Sequence, residues 1–201
     1  MNIPEKYVFI SDWFYQSDLW EDHFRTLDRK SRVDLTTKVE ELIEEKLPKD
    51  YLELYSEFNG EQDVKGIGTF RGHTFLSLDM VVKELELYRD NWKPLEELNE
   101  YDRILSHPKN HIKIQYYHYK WIPVFSDHCG NFIGMDMDPA EMGNRGQIIV
   151  FGREEQINFV IANSLADFLD LNIEIIKENA ELFRTESHLH DIYKQIRKVY
   201  I

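Results

Sequence analysis

The chain has 201 residues, 42% hydrophobic and 13% aromatic, with 37 acidic against 24 basic side chains and a net charge of −13. A chain of this length can bury roughly 70% of its unfolded surface, so it needs no disulfide or metal to fold. A single cysteine, Cys129, excludes an internal disulfide and a multi-cysteine zinc site, and the acidic balance argues against a surface that reads nucleic acid.

Residues 1–6 lack the basic-then-apolar pattern of a signal peptide. Apolar runs such as Ile148–Phe151 and Phe159–Ala162 stop at four residues, too short to cross a bilayer. The expectation is one domain over residues 1–201, cytoplasmic, without membrane contact. Residues 13–27 read as a first helix. Val33, Leu35, Val39, Leu42, Ile43 and Leu47 then recur at helical spacing, with Asp34 placed to cap the start. Pro48 opens another helix, whose stripe is Tyr51, Leu54, Tyr55 and Phe58 and which Asn59-Gly60 stops. After a glycine-rich loop, Thr74–Leu78 leads into a helix carrying Val81, Leu85, Tyr88, Trp92 and Leu95, with Pro94 set to kink or end it.

From Ile112 the pattern turns to short β segments: Ile112–His118, Trp121–Phe125, Phe132–Met137, Gln147–Phe151 and Asn158–Ala162. Their short connections predict an antiparallel meander. Apolar residues on both faces of Ile148–Phe151 predict helices packed over both sides of the sheet, and Pro123, lacking an amide donor, belongs at an edge or bulge. Helices near 164–176 and 187–200 close the chain. The fold class is therefore α+β, a single antiparallel sheet flanked by N- and C-terminal helices.

Acid is concentrated in residues 40–61 (net −6), 84–102 (net −5) and 154–181 (net −6). Such runs are either solvated faces or a docking field for a basic protein. Asp136 and Asp138 fall on one side of a strand about 6–7 Å apart. They suit turn hydrogen bonding ahead of Pro139 or, in a weaker reading, a divalent cation in a metal-assisted hydrolase. Asp127-His128-Cys129-Gly130-Asn131 holds three reactive residue types, but a hairpin turn explains it without chemistry. His107, His111, His118 and the His188-x-His190 pair lack convincing metal-ligand spacing. No cofactor, metal ligand or catalytic residue is expected.

Leu47-Pro48-Lys49-Asp50-Tyr51 with Asn59-Gly60 resembles the helix that opens SUKH superfamily domains. Trp121-Ile122-Pro123-Val124-Phe125-Ser126-Asp127, Gly130-Asn131, Gly134, Asp136 and Pro139 match the family's middle hairpin in order. Gly143, Gly146-Gln147-Ile148-Ile149 and Phe151-Gly152-Arg153-Glu154 continue it, and Val160-Ile161-Ala162 with Phe168-Leu169 closes it. The resemblance covers residues 40–171 or so, leaving helical extensions on either side. The Phe-Gly-Arg-Glu ending looks most like the cell-wall-assembly (glucan-synthesis) regulator branch, although Asn144-Arg145 stands where that branch commonly shows an aromatic before Gly-Gln. The resemblance implies a non-enzymatic protein-binding domain. Its first reading is an immunity protein that neutralises a polymorphic toxin, a basic nuclease domain being the natural partner. The alternative is a regulatory scaffold in cell-wall or glucan-synthesis signalling. Candidate contact or family-motif positions are Trp121, Asp127, Asn131, Asp136, Asp138, Gln147 and Arg153.

Overall fold

The computed structural model describes residues 1–16, 25–28, 32–63, 72–91, 104–185 and 189–199. The first helix, α1 (Ile3–Gln16), begins ten residues before the expected start, because Ile3, Tyr7, Ile10 and Phe14 form a buried stripe at steps of four, three and four. Residues 17–24 lie outside the described residues, and β1 (Arg25–Leu27) occupies the far end of the expected helix. In α2 (Val33–Ile43) the buried face is Val39, Leu42 and Ile43. Asp34 does not cap it: Arg32 holds the N-cap position and spends its guanidinium on Asp34 and Asp79.

Pro48 does precede α3 (Lys49–Glu57), whose stripe Tyr51, Leu54 and Tyr55 is buried. Beyond it Asn59 accepts the first amide of α4 (Leu78–Asn91), Leu78 N–H, at 2.9 Å, satisfying a donor that a helix start leaves open. Between them lie β2 (Glu61–Asp63), which pairs antiparallel with β1, and β3 (Thr74–Phe75). Val81, Leu85 and Tyr88 form the buried stripe of α4, while Trp92, Pro94 and Leu95 lie outside the described residues.

The main sheet adds β4 (Leu105–His107), β5 (Trp121–Ser126), β6 (Asn131–Asp136), β7 (Gln147–Gly152) and β8 (Ile157–Ala162), in the order β3-β5-β6-β7-β8-β4. The β5–β8 meander is antiparallel as expected, but the sheet is mixed, because β4 runs parallel to β8 at the edge. Ile112–His118 is not a strand. The chain leaves β4 at one edge and enters β5 four strand positions away, about 19 Å at normal strand spacing. Residues 108–120 therefore cross the end of the sheet instead of pairing within it.

A bulge between Pro123 and Phe125 sets which side each β5 residue faces. Trp121 pairs with Asp136 and Ser126 with Phe132 on one face, whereas Phe125 pairs with Ile133 on the other. On the second face Phe125 meets Phe168 of α5 (Leu165–Asn179) and Tyr7 of α1, with ring centroids 5.7 and 6.4 Å apart. Ser164 caps α5 by accepting Asp167 N–H at 3.0 Å. After α6 (Leu182–Thr185), α7 (Leu189–Arg197) returns so that Tyr193 packs on Phe168 and donates to Asn172 at 2.7 Å. Both terminal extensions therefore complete the core. On the first face the Phe151 ring lies between Trp121 and Phe132, at 5.2 and 5.5 Å. Gly134 makes room for it, since a Cβ there would run into that ring and the Ile122 carbonyl. Every residue of β5, β6 and β7 is buried, as a sheet covered on both faces requires.

Candidate functional site

The motif residues divide between the two ends of β6, about 17 Å apart at the usual rise per residue. At the end where β6 stops lie Trp121, Asp136, Asp138 and Gln147. Trp121, Asp136 and Gln147 are completely buried. Gln147 donates from Nε2 to Asp136 Oδ2 (3.0 Å) and to the His111 carbonyl (2.8 Å), and its Oε1 accepts Asn144 N–H (3.1 Å). Asp136 Oδ1 accepts Asp138 N–H at 3.0 Å, an Asx turn ahead of Pro139. One glutamine and one aspartate thus pin the 108–111 and 139–146 crossings over the sheet end. Burial pushes the Asp136 carboxyl up to about 7, against the opposing effects of Gln147, the Asp138 amide and the Trp121 indole. That indole N–H lies close to the carboxylate without completing a hydrogen bond.

Asp138 bonds instead to Lys113 Nζ and stands 3.6 Å from His118 Nε2. His118 is buried and accepts Lys120 N–H through Nδ1 (3.1 Å), which fixes the neutral tautomer with its proton on Nε2. Burial, helped by Lys113 and opposed by Asp138, pulls its pKa down to about 4. Arg145 and Lys120 both bind Glu45, at 2.7 and 3.0 Å, and hold its carboxyl low despite burial. Arg145 also donates to the Lys46 carbonyl at 2.7 Å, so the residue that departs from the family pattern clamps the end of α2 to this loop. The two aspartates do not share an open space. Among the described residues no group of three or more His, Cys, Asp or Glu is arranged to hold a metal ion. His188 lies outside the described residues, as does the side chain of His190.

Asp127, Asn131 and Arg153 gather at the opposite end. Residues 127–130 turn the β5–β6 hairpin: Asp127 Oδ1 accepts Cys129 N–H and Asn131 N–H, and Oδ2 accepts Asn131 Nδ2–H at 2.7 Å. His128 turns its ring to Thr74 Oγ1 (2.9 Å), while Cys129 is free and exposed. Asn131 Oδ1 accepts Glu154 N–H (2.9 Å) and Gly130 O accepts Arg153 N–H (3.0 Å), tying this hairpin to the start of the turn after β7. Gly152, at φ +149°, is obligatory there, because a Cβ would sit 2.5 Å from both Asn131 Cα and the Gly130 carbonyl. The result is an exposed Arg153 on an ordered backbone, whose side chain meets no carboxylate among the described residues.

Arg153 borders a recess of about 540 Å³ between these hairpin tips and α4. Leu76, Tyr88 and Phe132 line its buried part. Tyr88 stacks on Tyr117 (5.1 Å) and meets Phe132 edge-on (6.2 Å). Met80 and Leu87, 40% and 55% exposed, line it from α4 together with Glu84, whose pKa is raised by burial. An apolar hollow with polar groups on its rim has the anatomy of a binding surface.

Of the positions chosen in the sequence, Arg153 alone lines the recess, and the helix wall was not among them. Met80, Glu84 and Leu87 form a second stripe on α4, beside the core stripe, and two exposed apolar side chains there are the readable signal. Tyr116 and Tyr117, assigned to a strand, instead line the recess from the crossing segment.

The family model SMI1 / KNR4 family (SUKH-1) matches residues 33–171. The chain is 33% identical over 132 residues to the cell wall biosynthesis/cell cycle regulator smi1 of Schizosaccharomyces pombe, covering 61% of this chain and 26% of that protein. It is 27% identical over 217 aligned positions to the cell wall assembly regulator SMI1 of Saccharomyces cerevisiae, covering 88% and 43%. Against the glucan synthesis regulatory protein of Neurospora crassa it is 39% identical over 84 residues, covering 42% and 15%. The chain spans less than half the length of each of these relatives.

Proposed function

The chain belongs to the SMI1 / KNR4 (SUKH-1) family, and from that premise we propose that it is a non-catalytic protein-binding module in cell-wall or glucan-synthesis regulation. The carrying observation is that the relatives this chain matches are named as regulators of these processes. Two structural features support it. The motif residues at the Asp136 end are engaged in hydrogen bonds that hold loops, and at the other end Asp127 and Asn131 hold the turns that bring Arg153 to the border of an apolar recess. Toxin immunity stands second, resting on an acidic surface that would complement a basic domain.

The test is a chimera in which this chain replaces the matching region of the S. cerevisiae relative, read as growth under cell-wall stress in a strain lacking that relative. Restored growth that is lost with Leu87→Asp supports the proposal. A stably expressed chimera that restores nothing counts against a wall-regulatory role. Protection of cells from a co-expressed toxin domain would move immunity to first place.

A further inference from the structure

We infer that the recess between α4 and the hairpin tips binds a short partner segment in which a bulky apolar side chain sits next to an acidic one. The apolar group fills the hollow over Tyr88 and Phe132, and the carboxylate pairs with Arg153. This rests on the protein-binding reading above and adds the chemistry and orientation of the occupant.

Charge complementarity fixes the acidic element. In a chain of net charge −13, Arg32, Arg89, Arg145 and Arg184 each meet a carboxylate of the protein itself. Among the described residues Arg153 and Arg197 meet none, and of these two it is Arg153 that borders the recess, its backbone held by the Gly130 carbonyl and the neighbouring Asn131–Glu154 bond. An arginine presented on an ordered turn loses little freedom on pairing, and its planar fork suits a carboxylate. Glu84 on the helix side repels a second acid, so the partner's carboxylate belongs on the hairpin side.

The apolar element follows from the hollow. Its aromatic lining is held by the Tyr88–Tyr117 stack and by contacts of Phe132 with Tyr88 and Phe151. Met80 and Leu87 expose apolar surface beside it, and Met adapts readily to an incoming shape. The Tyr88 hydroxyl is buried without a hydrogen-bond partner, and burial together with nearby Glu84 and Tyr117 keeps it protonated. A protein segment fits better than a small molecule. The charged group on the hairpin side, Arg153, is exposed at the border instead of converging on the hollow from inside, as a pocket for a small ligand would have it.

The test is selection of phage-displayed random 12-residue peptides on the full chain, on R153E and on L87D, followed by anisotropy titration of synthetic winners at two salt concentrations. The wild type should enrich Leu, Phe, Trp or Met within two residues of Asp or Glu, with affinity that falls as salt rises. R153E should weaken those peptides at least tenfold and select Lys or Arg at the acidic position; L87D should weaken them without changing the charge preference. Unchanged thermal midpoints show that both variants fold. Winners without an acid, or winners indifferent to both substitutions, overturn the inference while leaving a protein-binding role intact. So does a recess that takes up an apolar dye at one-to-one stoichiometry while no peptide is enriched. Peptide binding as described, alongside a chimera that fails to restore growth, would sink the wall-regulatory reading and leave this one standing.

Discussion

The two ends of β6 use the same pairing, an aspartate with a side-chain amide, for opposite purposes. At one end Asp136 and Gln147 are fully buried, and every bond they make holds a loop over the sheet. At the other, Asp127 and Asn131 shape a turn beside solvent, and their bonds carry Arg153 to the border of an apolar recess. Burial separates the two. It raises the pKa of Asp136 and makes the first pair a plug, whereas the second is a frame for a side chain that stays outside. Motif residues in this fold are therefore mainly scaffold, and the contact surface proposed above centres on Arg153, the side chain that this scaffold carries to the recess.

The contrast breaks hardest at the plugged end. Trp121→Ala should cost about 3–5 kcal/mol, the usual penalty for emptying a buried aromatic site, read as the shift in urea unfolding free energy. A loss under about 1 kcal/mol would mean that this end is not packed as described. Next come two substitutions with opposite pH signatures. Asp136, at about 7 in the folded protein against an ordinary 3.8, holds a proton that the unfolded chain releases. Its contribution is full below pH 4 and is lost as pH rises through 7. His118, at about 4 against 6.5, stays neutral where the unfolded chain is charged. Its contribution is full above pH 6.5 and is lost as pH falls toward 4. Over the shared window the two slopes oppose each other. Asp136→Asn should therefore leave a stability that rises with pH, and His118→Asn one that falls. Each should differ from wild type by an amount that changes by on the order of 2–3 kcal/mol between pH 4 and 7. Parallel stability–pH curves for the two variants would contradict this account.

Legibility in the sequence follows the same divide. The β5–β8 meander, the Pro123 bulge and the start of α5 were readable because alternation, a missing amide donor and the helical spacing of Leu165, Phe168 and Leu169 act locally. The parallel β4 was not, since it depends on a crossing of the whole sheet by residues 108–120, whose β-rich composition imitates a strand. The early start of α1 was within reach of the sequence, since Ile3, Tyr7, Ile10 and Phe14 recur at the same helical spacing that located α2 and α4. At the site, the turn chemistry of Asp127 and Asn131 was visible. The recess was not, because it needs α4 and the crossing segment brought beside the hairpins.

The exposed end sharpens the comparison with smaller effects. Asn131→Ala removes bonds to Asp127 and Glu154 and should cost about 1–2 kcal/mol. It should also loosen the 152–154 turn, read as faster amide hydrogen exchange at Arg153 and Glu154. Arg153→Ala should change unfolding free energy by no more than about 0.5 kcal/mol, because its side chain makes no ion pair among the described residues. That near-silence is informative only beside a measured loss of partner binding. The two results together would place the energetic role of Arg153 outside the molecule. If Arg153→Ala instead destabilises as much as Asn131→Ala, the guanidinium is part of the frame, and the two ends of β6 differ in exposure but not in purpose.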